Sequence, residues 1–230
     1  MKAKNSLVVS IALALGISVT SYADTPQKSA FIIVNDDSGV LSDPARAKNS
    51  RLLLLAQLKD LNKRRQYSSA QVQVISTSYA RTVWVGQVSD LRTERAAELI
   101  KKLEPEPNNC NNLTGSFSAV QTAVKQLTQQ RYTDVHIYFF SSLISTPTPC
   151  SDLKITLPQL PVPVNFLETL ASSEDVSSLA FFYVNPHQLR AYQEALQGVA
   201  TWTNTNNKPF GLFDMESTDF QLRSGLLGVE

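Results

Sequence analysis

The chemistry-bearing residues of this chain gather first in Asn35-Asp36-Asp37-Ser38-Gly39, directly after the apolar run Phe31-Ile32-Ile33-Val34. Two carboxylates beside a hydroxyl can hold a hard divalent cation through oxygen. A carboxylate at such a place can also attack a phosphate. The third possibility is structural, with the same groups satisfying turn amides or capping the following helix. Other candidate groups are Thr114 and Ser116 in NLTGSFS, Ser141-Ser142 after VHIYFF, and the two cysteines, Cys110 and Cys150. Only two histidines occur: His136 lies inside VHIYFF, where a structural role is expected, and His187 follows Asn185-Pro186. No G-x-S-x-G elbow, P-loop or H-E-x-x-H pattern is present.

Alternating strand and helix patterns position these residues. FIIV, VHIYFF and LAFFYV (Leu179–Val184) are continuous apolar runs, as expected for strands buried on both faces. QVQVIST (Gln71–Thr77) alternates at period two, and RTVWVGQV (Arg81–Val88) can lie beside it, with Trp84 packed under a helix. Asp43-Pro44 reads as an N-cap and first turn for a helix over Ala45–Arg65. Further helices are predicted over Leu91–Leu103, Thr114–Gln130, Val164–Ser172 and His187–Ala200. A last strand is expected near Pro209–Phe213 and a helix or tail over Asp219–Leu227. Five prolines make Ser145–Pro163 an irregular excursion. The expected fold is α/β, a doubly wound, mostly parallel central sheet with helices on both faces. Ligands of such sheets sit beyond the carboxyl ends of the strands, where the acidic loop, Cys110–Ser116 and Ser141-Ser142 all fall.

Compartment and partner class follow from the N-terminus, the cysteines and the charge. Lys2 and Lys4, the apolar stretch Leu7–Val19 and Ser21-Tyr22-Ala23 form a secretory leader, with cleavage expected after Ala23. The mature chain, residues 24–230, then forms one domain in an oxidising space, read as the periplasm. There Cys110 and Cys150 are expected to pair as a disulfide rather than as a redox or metal site. Loss of Lys2 and Lys4 takes the formal charge from +1 to about −1, which leaves no basic footprint for nucleic acid. No later segment is long and apolar enough to span a membrane.

In this order the three loops resemble those of a von Willebrand factor A domain, whose first loop is D-x-S-x-S after an apolar strand. Asp36 and Ser38 match its aspartate and first serine, Thr114 matches the second-loop threonine, and Phe139-Phe140-Ser141-Ser142 stands where the family has Thr-Asp-Gly. The resemblance implies a metal-ion-dependent adhesion site holding Mg²⁺ or another divalent cation on Asp36, Ser38 and Thr114. Val40 replaces the second serine and Ser142 the third-loop aspartate, so the ligand set is incomplete and cation binding is expected to be weak. Asp37, Gly39, Ser116 and Ser142 complete the partner-binding edge that the resemblance implies. The function this points to is a non-catalytic periplasmic interaction module, docking another cell-envelope protein in adhesion, secretion or transfer machinery. The alternative is a metal-dependent hydrolase of phosphatase type. NDDSG echoes the D-x-D-G-T of haloacid-dehalogenase-like phosphatases, but their nucleophilic aspartate falls on Asn35, an amide.

Overall fold

A computed structural model describes residues 28–38, 43–92, 94–106, 108–146, 148, 150, 155–198 and 208–229. The proposed leader, Gly39 and Val40 lie outside the described residues. Among the described residues six strands form one sheet: β1 (Ser29–Asn35), β2 (Gln71–Ser76), β3 (Arg81–Gln87), β4 (Asp134–Phe140), β5 (Val176–Val184) and β6 (Phe210–Asp214). Their order is β3-β2-β1-β4-β5-β6, with every neighbouring pair parallel except β2 and β3. The helices are α1 (Pro44–Leu61), α2 (Glu94–Leu103), α3 (Leu113–Gln129), α4 (Val164–Ser172), α5 (Pro186–Ala195) and α6 (Met215–Ser224). This is the doubly wound α/β sheet expected.

The apolar strands are buried on both faces because helices cover both. Ile32, Val34, Ile137, Phe139 and Phe181 point to one side, where they pack with Phe117 and Val120 of α3, Phe166 of α4 and Tyr192 of α5. Phe31, Ile33, Tyr138, Phe140 and Phe182 point to the other, against Leu54 and Leu58 of α1, Leu99 of α2 and Leu222 of α6. Alternation at period two thus builds two cores from one continuous apolar run. Phe139 stacks on Phe181 with ring centroids 4.7 Å apart, and Phe117 tilts against Phe166 at 4.6 Å.

Local signals set most boundaries. The Asp43 side chain accepts the Arg46 amide and Pro44 opens α1, as the sequence predicts. That helix ends at Leu61 rather than Arg65, since Asn62, Lys63 and Arg64 donate instead to carbonyls three residues back. The helix expected over Leu91–Leu103 is split into a 3₁₀ turn, Val88–Arg92, and α2. The C-terminal helix starts at Met215, capped by Asp214, whose side chain accepts the amides of Glu216 and Ser217. Trp84 is buried beside α2, with the Arg95 guanidinium 5.4 Å from its ring centroid. The described part of the proline-rich excursion before Val164 has no helix or strand.

Strand β5 begins at Val176, three residues before the expected Leu179, and this brings Ser178 beside His136. His136 stacks on Phe31, its Nδ1 lies 2.8 Å from Ser178 Oγ, and its Nε2 lies 3.1 Å from Asp134. Asp134 also accepts the Ser29 hydroxyl at 2.7 Å. These groups sit at the amino edge of the sheet, packed closed, so the histidine is structural. Burial raises the Asp134 pKa, but the hydrogen bond and charge of His136 and the hydroxyls of Ser177 and Ser29 outweigh it and hold the carboxyl at about 2. A depressed folded-state pKa contributes stability that is present above the unfolded value and lost as pH falls through about 2. Urea unfolding of wild type and Asp134→Asn should therefore differ by about 2 kcal/mol at pH 5 and converge as the pH approaches 2.

Candidate functional site

The reversal of strand order between β1 and β4 opens the sheet's carboxyl edge at the point where doubly wound folds bind their ligands. The ladder continues one residue past the strands: the Asp36 amide donates to the Phe140 carbonyl at 2.9 Å, Thr77 to Asn35 at 3.0 Å, and Ser141 to Phe182 at 3.0 Å. These bonds fix the start of each loop, and the Asp36 side chain is carried inward to full burial.

Five donors converge on that carboxylate. Oδ1 accepts the Ser38 amide at 3.1 Å and the Ser38 hydroxyl. Oδ2 accepts Asn111 Nδ2 at 2.9 Å, Ser141 Oγ at 3.0 Å and Ser142 Oγ at 3.3 Å. Asn111 Nδ2 also donates to the Ile144 carbonyl at 2.8 Å, so both groups facing this amide nitrogen are acceptors and its orientation is set. The Arg51 guanidinium donates to the Asp36 carbonyl and lies 5.1 Å from the centre of the Phe140 ring. Burial pushes the Asp36 pKa upward against the opposing pull of Ser38, Ser141 and Arg51. Burial likewise lowers that of Arg51, while the charges of Asp36 and Asp37 raise it.

Asp37 turns the other way and stitches β1 to β2. Its carboxylate accepts Ser76 Oγ at 2.7 Å, Thr77 Oγ1 at 3.4 Å and the Ser78 amide at 3.0 Å. Its carbonyl accepts the Glu106 amide at 2.9 Å, which ties in the loop after α2. Asp37 and Ser142 are nearly buried and Ser116 fully so, with the Ser116 hydroxyl donating to the Asn112 carbonyl at 2.9 Å. The Asn35 amide, on the residue that excludes a phosphatase nucleophile, donates to the Leu103 carbonyl at 3.3 Å.

Of the residues that sequence reasoning selected, Asp36, Ser38 and Ser142 are brought together and Thr114 is not. Thr114 is exposed in the first turn of α3, and its hydroxyl donates to the Pro161 carbonyl at 3.2 Å. Asn112 caps that helix by accepting the Gly115 amide at 3.0 Å. A Cβ at residue 115 would lie 2.7 Å from the Asn112 side chain and from Ala80, so glycine is what lets the cap close. Asn111 is the residue that sequence reasoning missed. Cys110 beside it pairs with Cys150, as expected, and clamps this loop to the one after β4. The Asn111 amide and carbonyl bond Thr146 as well, at 2.6 and 2.9 Å. A polar run of four asparagines carries no signal that one of them will reach a carboxylate 75 residues away.

These groups do not fit a divalent cation. Both Asp36 oxygens already accept N–H or O–H donors, an arginine stands beside them, and the candidate threonine is engaged elsewhere. Among the described residues no three of His, Cys, Asp and Glu cluster as ligands.

No family model and no curated protein matches the chain. Solved structures do match, among them the pilus adhesin SpaC from Lactobacillus rhamnosus GG in its open conformation, with a TM-score of 0.50 at 11% identity. The match covers 87% of this chain and 30% of the adhesin, so the chain spans under a third of that protein. At that identity the likeness is one of fold. The strand order, with β3 antiparallel at one edge, is compatible with a von Willebrand A-like architecture.

The donor count predicts which side chains hold the edge together. Asp36→Ala strands several buried donors and should cost about 3 kcal/mol or more, Asn111→Ala about 2 kcal/mol, and Thr114→Ala under about 1 kcal/mol. Urea midpoints of the three variants against wild type measure the ranking.

Proposed function

We propose that this chain is a non-catalytic interaction module of the cell envelope, a von Willebrand A-like domain whose cation site has been replaced by an internal hydrogen-bond network. The observation that carries this reading is the Asp36 carboxylate, which the domain's own amide and hydroxyl groups consume in full. A carboxylate in that condition is poorly placed to act as a nucleophile, a base or a metal ligand.

The remaining chemistry supports the same reading. Asn35 stands where a phosphatase would need its aspartate, and its amide is spent on the Leu103 carbonyl. His136 is closed into the opposite edge of the sheet. The Cys110–Cys150 disulfide suits an extracytoplasmic chain, which agrees with the leader and periplasmic address expected from the sequence. Among the described residues no helix is long and apolar enough to cross a membrane. The partner is another envelope protein, in adhesion, secretion or transfer machinery, and a pilus adhesin shares the fold.

Thermal unfolding of the mature chain in increasing Mg²⁺ or Mn²⁺, together with an assay of p-nitrophenyl phosphate hydrolysis, tests this function. The midpoint should not move and no turnover should be seen. A saturable rise in midpoint would restore the cation site, and cation-dependent turnover would establish the hydrolase.

A further inference from the structure

Helices α1 and α2 leave a groove between them on one face of the sheet. At its upper end a cavity of about 400 Å³ is walled by Leu52, Leu55, Ile100 and Leu103. A second, of about 210 Å³, continues along the same helices and shares Leu52, Leu55 and Ile100. Leu52 and Ile100 are 42% and 39% exposed, unusual for large aliphatic side chains facing each other across two helices. The groove's charges are placed at its ends. Lys48 and the buried Arg51 line the upper cavity, together with Glu104, and Lys59 lines the lower. Among the described residues Lys48 and Lys59 form no ion pair, and Arg51 Nε is buried without a hydrogen-bond partner.

We propose that this groove receives an amphipathic helix from a partner protein, carrying leucine-type residues along one stripe and a carboxylate side chain at each end. The apolar walls require the stripe, since a helix laid in a groove buries residues spaced i, i+4 and i+7. The cations select the ends. Lys48 and Lys59 are eleven residues apart on α1, so about 16 Å of helix separates them. Three turns of a partner helix place two carboxylates at that distance. Glu104 stands near only the upper end, beside the exposed Lys48, while Arg51 is buried beneath and engaged with the Asp36 carbonyl. This surface lies on α1 and α2 and meets the Asp36 network only through Arg51, whose guanidinium donates to the Asp36 carbonyl, so a partner can bind there without the buried carboxylate opening. The inference rests on the chain being an interaction module and names where and what it binds.

Synthetic fluorescent peptides test it by anisotropy with the mature protein. One carries leucines at i, i+4 and i+7 between two glutamates eleven positions apart, a second has lysines in place of the glutamates, and a third has serines in place of the leucines. The glutamate peptide should bind saturably and at least about tenfold more tightly than the lysine peptide, consistent with two ion pairs gained against two repulsions. The serine peptide should not bind. Lys48→Glu with Lys59→Glu should invert the charge preference, and Leu52→Asp with Ile100→Asp should abolish binding. All four side chains stand at the groove's rim or ends, and thermal melts of both double variants check that the fold is kept. No saturable binding of the glutamate peptide, or a ranking unchanged in either double variant, overturns the proposal. So does self-association of wild type, by sedimentation, that Leu52→Asp abolishes, because the occupant is then a second copy. The assay contains no cation and no phosphate ester, so its failure leaves the interaction-module reading standing, and turnover in the hydrolysis assay overturns that reading without touching the peptide ranking.

Discussion

The carboxyl edge of the sheet is organised around one fully buried carboxyl group, that of Asp36. Asp36 is removed from water at the end of the central strand, and taking a carboxylate there is costly unless hydrogen bonds replace its hydration. The fold meets that requirement from three separate loops. Ser38 comes from the loop after β1, Asn111 from the loop before α3, and Ser141 and Ser142 from the loop after β4. Each loop is therefore held to the same two oxygen atoms, and the order of the whole edge depends on that group staying satisfied.

Around this point the other devices act as braces. The disulfide joins the second and third loops covalently. Asp37 binds the first loop to the end of β2. Arg51 reaches from α1 to the Asp36 carbonyl beneath the Phe140 ring, so a helix on one face is locked to the same turn. Left-handed backbone at Leu143 and Tyr183 falls on this edge as well. Gln188 and Thr218 hold both, by bonding the Leu143 carbonyl at 2.7 Å and the Tyr183 amide at 2.8 Å. Conformations of this kind persist where the surroundings over-determine them. An edge so cross-linked is a rigid scaffold.

Much of the architecture was legible because it rests on local signals. The runs FIIV, VHIYFF and LAFFYV are strands, Asp43-Pro44 starts a helix, and Cys110 pairs with Cys150. What stayed hidden depends on tertiary placement. The early start of β5 was masked by Ser177-Ser178, polar residues whose burial makes sense only once Ser178 meets His136. Asn111 was masked in the same way, as one asparagine among four in a turn-prone run. Thr114 was selected by its place in a family motif, but α3 begins at Leu113 under an Asn112 cap and its hydroxyl bonds Pro161 instead. The sequence motif located the strand end correctly, and the side chains that complete the site were decided by how the loops fold over it.

The central claim, that protein donors stand where a cation would otherwise bind, is open to direct observation. Crystals of the mature protein soaked in Mn²⁺ and measured near the manganese edge would give an anomalous difference map of the carboxyl edge. The account predicts no peak within bonding distance of Asp36, and Asn111 Nδ2 in place against Oδ2. A manganese peak between Asp36 and Ser38, with Asn111 swung away, would contradict it.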